Sequence, residues 1–108
     1  MWDRKRRVWI FTRLNRRSDL DLMPIISIFF GIVIRMYFGD HSPPHFHAEH
    51  QGQKATFNFR GDLLTGNISS RTARRLIRDW ALTHRFELMV NWRNVEQGRP
   101  LNRIEPLD

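Results

Sequence analysis

Two consecutive prolines, Pro43-Pro44, stand between two runs in which apolar and polar residues alternate. Proline fixes φ and donates no backbone hydrogen bond, so neither can sit inside a central ladder. One strand must end before Asp40-His41-Ser42-Pro43-Pro44 and another begin after it. Upstream, Gly31–Phe38 places Ile32, Ile34, Met36 and Phe38 on one face, and Val33, Arg35 and Tyr37 on the other. Downstream, His45–His50 places Phe46 and Ala48 opposite His45, His47 and Glu49. Gln51-Gly52-Gln53 reads as a short turn, and Lys54–Arg60 as a third strand with Ala55, Phe57 and Phe59 on its apolar face. Gly61-Asp62 and Gly66-Asn67 are further turn signals, with room for one short strand between them.

The pattern then changes period. Ala73, Leu76, Ile77, Trp80 and Ala81 follow the spacing of a buried helical stripe, with Ser69 or Ser70 available as N-cap. Thr83 offers a cap for a second helix reaching about Gln97, with Leu88, Met89, Trp92 and Val95 inward and Gly98 beyond its end. Arg103-Ile104-Glu105 reads as an extended tail. The expected fold is α+β: a small antiparallel sheet of three or four strands packed under two C-terminal helices.

A chain of 108 residues suits one domain. Residues 23–108 form the patterned unit, while Met1–Leu22 carries +4 of the net charge of +7. That basic N-terminal extension reads as a mis-assigned gene start, or else as an arm for nucleic acid. The absence of cysteine excludes disulfides, thiolate metal sites and a cysteine nucleophile. Arg16-Arg17 ahead of the apolar run Leu22–Ile34 imitates a twin-arginine signal. Asp19 and Asp21 interrupt it, however, and no small-residue cleavage site follows. The run is also shorter than the roughly 20 apolar residues that a membrane helix needs. The expectation is a cytoplasmic protein with no membrane partner.

Alternation gathers Arg35, Tyr37, His45, His47, Glu49, Thr56, Asn58 and Arg60 on the sheet face away from the helices. The histidine cluster His41, His45, His47 and His50 is the one concentration of chemically active side chains. Three readings of it stay open. His41, His45 and His47 have the spacing to hold a divalent metal such as zinc, manganese or iron. Alternatively, His45, His47, Glu49 and Tyr37 supply acid and base, with Arg35 and Arg60 as phosphate clamps, for metal-free cleavage of RNA. Third, the histidines are structural. Arg71, Arg74, Arg75 and Arg78 form either a solvated helix face or a nucleic-acid-binding stripe.

The segment Asp40-His41-Ser42-Pro43-Pro44-His45-Phe46-His47-Ala48 resembles the small prokaryotic family with the pattern DHxPPHFHA, catalogued as domain of unknown function 4160. The resemblance extends over Met23–Asp108, from Met23-Pro24-Ile25-Ile26-Ser27 to Ile104-Glu105-Pro106-Leu107. It departs at His50, commonly aromatic in the family, and at Ser69-Ser70, where a proline commonly opens the helix. The resemblance implies a partner, a small protein encoded in the neighbouring gene, and a toxin–antitoxin-type module. It implies no established catalytic residues. Combined with the histidine face, it gives the expectation of a toxin-like component acting on RNA or a nucleotide, as a ribonuclease-like or metal-dependent hydrolase. The alternative is a non-enzymatic metal- or DNA-binding regulator, or the neutralising partner of such a module.

Overall fold

The structure, a computed structural model, describes residues 2–5, 7–9 and 22–108. A five-stranded antiparallel sheet runs in sequence order through β3 (Ile25–Phe29), β4 (Ile32–Arg35), β5 (Phe46–His50), β6 (Gln53–Phe57) and β7 (Leu63–Gly66). Helices α1 (Arg71–Thr83) and α2 (Arg85–Glu96) follow it. Before the sheet, β1 (Trp2–Asp3) and β2 (Val8–Trp9) form a separate two-stranded hairpin. Arg4 and Arg7 in its turn make ion pairs with Asp108 and Glu105 of the C-terminal tail. Arg16-Arg17, Asp19 and Asp21 lie outside the described residues.

The α+β class is as the sequence predicts, but the sheet has five strands rather than three or four. The additional strand, β3, is hidden in the apolar run before Ile34. Phe30 and Gly31 turn the chain with φ of 49° and 76°, a two-residue hairpin of the primed kind that usually announces itself by Asn-Gly or Asp-Gly. The register Phe29↔Ile32 and Ile28↔Val33 follows from that turn. β6 ends at Phe57, short of the expected Arg60, because Asn58 Oδ1 accepts hydrogen bonds from the backbone N–H groups of Arg60 and Asp62 at 2.9 and 3.0 Å. A side chain that satisfies backbone donors in this way competes with the ladder.

The core lies between the sheet and the helices. Phe46, Ala48, Ala55 and Phe57 meet Ala73, Ile77, Trp80, Leu88 and Trp92. Phe46 stacks on Phe57 at 5.7 Å and takes the edge of Trp80 at 5.5 Å. Burying one such side chain is worth about 1.5–3 kcal/mol, so a one-residue slip of β5 would forfeit Phe46 and Ala48 together. That cost fixes His47 on the face opposite Phe46 and Ala48.

Ser70 caps α1 through a 3.0 Å bond from the Ala73 N–H. Thr83 does not cap α2: it ends α1, its hydroxyl donating to the Asp79 carbonyl, and His84 lies between the helices. Met89, expected inward, is 40% exposed, and Asn91 is buried in its place. Asn91 binds the backbone N–H and C=O of Asn102, both at 2.8 Å, fastening the tail so that the Ile104 N–H reaches the Ile26 carbonyl. No helix among the described residues is long and apolar enough to cross a membrane.

Candidate functional site

The loop carrying Pro43-Pro44 and the strand that follows it bring three polar side chains together at one end of the sheet. Asp40 Oδ2 lies 3.1 Å from His45 Nε2 and 3.1 Å from His47 Nε2. The side chains of Asp40, His45 and His47 are 22%, 13% and 25% exposed, so the group is partly buried yet reached by solvent. Their donor atoms all lie within 4.8 Å of one another, a set able to hold a metal ion. The Tyr37 ring stacks on His47 at 4.1 Å, and the two imidazoles are 5.2 Å apart.

His47 occupies the strand position that alternation assigns it, paired in register with Arg35 and Thr56. His45 does not lie on the outer face of the sheet. It precedes β5, and its ring packs 5.4 Å from Trp92, a buried residue of α2. Strand alternation stops constraining a side chain where the ladder stops. The convergence of His45 and His47 survives, at the sheet's end instead of across its face.

His41, expected as the third metal ligand, is not in the group. It is exposed, with Nδ1 3.3 Å from the Ser42 carbonyl, and Asp40 takes its place. His50 sits at the opposite end of β5, paired with Ile32 and Gln53. Arg35 and Glu49 hold each other at 3.0 Å, and Arg35 also donates to the Met23 carbonyl. Arg60 pairs with Asp62 at 3.4 Å. Of the six residues proposed for acid–base chemistry, only Tyr37, His45 and His47 therefore come together. Asp40 is the residue that pattern reasoning passed over. Its signal was an acidic side chain opening the same loop that ends in His45.

Arg71, Arg74, Arg75 and Arg78 do assemble. Together with Phe57, Gly61 and Leu63 they line a cleft of about 320 Å³ between α1 and the β6–β7 connection. Arg78 pairs with Asp62 at 3.0 Å. Arg71, Arg74 and Arg75 are exposed and have no carboxylate partner among the described residues. Asp62, between Arg78 and Arg60, has its carboxyl held below the ordinary aspartate range, first by the hydrogen bond from Asn58, then by those two charges. Cleft and histidine site draw on neighbouring strands: Phe57 lines the cleft, and its register partner Phe46 lies between His45 and His47.

A family model described as a domain of unknown function, DUF4160, matches residues 31–93, and the chain belongs to that family. No curated protein and no solved structure matches it.

Proposed function

We propose that this DUF4160 protein is the toxin-like component of a two-gene module. On this reading it acts on RNA or a nucleotide, holding phosphates with the arginines of α1 and doing chemistry at His45 and His47. The single observation behind this reading is the arginine cleft. Arg71, Arg74, Arg75 and Arg78 recur at the spacing of one helix face, so they are neighbours. Arg71 stands in the first turn of α1, a turn with no acidic residue. A cation there opposes the helix dipole at a cost of about 0.3–1 kcal/mol. Stability alone would favour aspartate or glutamate at such a place. A phosphate relieves the repulsion and matches the planar guanidinium fork.

The chemistry would fall to few groups. Cleavage through a 2′-hydroxyl needs a base, an acid and positive charge near the phosphoryl oxygens. The ring nitrogens of His45 and His47 and the Tyr37 hydroxyl are suited to proton transfer, while Arg35, Glu49 and Arg60 are engaged in ion pairs. Those ion pairs also favour a second reading, a non-enzymatic metal- or DNA-binding regulator or the neutralising partner, which would use the cleft alone. On either reading the partner is a small protein encoded in the neighbouring gene.

Induced expression of the full chain separates the two. Arrest of growth by the wild type, but not by a folded His45→Ala/His47→Ala double variant, is the expected result. Unimpaired growth with both would overturn the toxin reading and leave the regulator.

A further inference from the structure

We infer that Asp40, His45 and His47 form a three-ligand site for a divalent first-row metal ion, zinc(II) or iron(II). The inference uses the same histidines as the reading above, whose Nε2 atoms would then hold the ion in place of transferring protons, and none of its nucleic-acid argument.

Spacing is the first support. Nitrogen and oxygen ligands about 2.0–2.2 Å from a common ion stand roughly 2.8–3.6 Å from one another in cis-octahedral or tetrahedral positions. The two distances from Asp40 Oδ2 to the imidazole Nε2 atoms, both 3.1 Å, fall in that interval.

The direction of one hydrogen bond is the second. His45 Nδ1 lies 2.7 Å from the Pro43 carbonyl oxygen. A carbonyl can only accept, so Nδ1 carries the proton. In the neutral ring the lone pair is then on Nε2, which faces a carboxylate oxygen at 3.1 Å. Two electron-rich atoms at that distance need a positive charge between them, which either a second ring proton or a metal ion supplies. An Nδ1–H to backbone-carbonyl bond is also the outer contact that orients a metal-bound histidine and fixes its tautomer.

The surroundings are the third. No lysine or arginine among the described residues pairs with Asp40, and its ion-pair partners are the two histidines. Arg35, the register partner of His47 on β4, is taken by Glu49. Tyr37 stacks on His47 and holds the ring in place. Two imidazoles and one carboxylate with an open side are a set used for zinc and for non-haem iron(II). Held this way, an ion keeps positions for water or a phosphoryl oxygen and supplies Lewis-acid chemistry there.

The test is metal binding by the full chain after chelator treatment, with cobalt(II) as visible probe, then zinc(II), and iron(II) without oxygen. The account expects one ion per chain, and elemental analysis of the chain as purified, before chelator treatment, identifies the resident metal. Asp40→Asn, His45→Ala and His47→Ala should each weaken binding at least about 100-fold, more than loss of an outer-shell contact costs. His41→Ala and His50→Ala should leave it unchanged. Melting guards against misfolded variants. Metal raises the Tm of the wild type, whereas Asp40→Asn melts as the metal-free wild type does and shows no rise. Absence of binding by the wild type, or binding lost in His41→Ala and kept in Asp40→Asn, overturns the inference. If no metal binds and growth arrest still requires His45 and His47, this inference falls and the toxin reading stands.

Discussion

Tyr37 lies nearly parallel to His47, with ring centroids 4.1 Å apart and planes inclined by 26°. A pair of this kind adds about 0.5–1.5 kcal/mol beyond burial and fixes the direction of His47 Nε2. Tyr37→Ala should lower stability by about 1 kcal/mol in urea denaturation and weaken function with it. Tyr37→Phe should keep the stack and the stability. If the hydroxyl is the proton donor, the same variant lowers RNA cleavage by at least about 100-fold. Cleavage unchanged in Tyr37→Phe would assign that role to a histidine.

The cleft makes a prediction about salt. Arg74→Ala and Arg75→Ala should each weaken binding of single-stranded RNA, and each should reduce the slope of log K against log salt by about 0.7. Fluorescence anisotropy across a salt series measures both. A slope that stays constant would mean that these arginines touch no phosphate.

Gly61 couples the cleft to the fold. Its φ is +83°, and a β-carbon there would lie 2.6 Å from the Arg78 α-carbon. Gly61→Ala should therefore push the β6–β7 connection away from α1, costing about 1–3 kcal/mol. It should weaken RNA binding in parallel. Thermal melting and the same anisotropy assay check the two effects.

Asp62 brings a pH dependence. Its carboxyl is held below the ordinary aspartate range by Asn58, and by Arg78 and Arg60 against the opposing effect of desolvation. A folded-state pKa below the unfolded one contributes stability that is present above the unfolded value and lost as pH falls through the folded value. Asp62→Asn should thus be less stable than wild type at neutral pH, and the difference should close below about pH 4. At neutral pH the same variant unmasks Arg78 and should bind RNA more tightly. Denaturation at several pH values, with anisotropy at neutral pH, tests both statements.

The parts of the molecule legible in the sequence were those governed by regular repeats. Phe46, Ala48, Ala55 and Phe57 face the helices, and the stripe Ala73, Ile77, Trp80 and Ala81 is buried, because period 2 and period 3.6 leave no other arrangement of the apolar residues. What escaped depends on single residues overriding a pattern. Phe30 adopts a positive φ that its side chain disfavours, and so conceals a hairpin. Asn58 closes a strand by capping its own turn. Asn91 is buried because the tail needs its amide, which rotates the inward face of α2 away from Met89. At the site, alternation located His47, but His45 and Asp40 sit in or beside a proline loop, where no period applies. Choosing Asp40 over its neighbour His41 required knowing which way that loop turns.

The most direct test of the central claim is cleavage of a labelled single-stranded RNA by the purified full chain, in the presence and absence of added zinc(II) or iron(II). The account predicts cleavage by the wild type and none by a folded His45→Ala/His47→Ala variant. An Arg74→Ala/Arg75→Ala variant should cleave with a raised KM and an unchanged kcat. Intact RNA with the wild type under every metal condition, or equal cleavage by the histidine double variant, would contradict it.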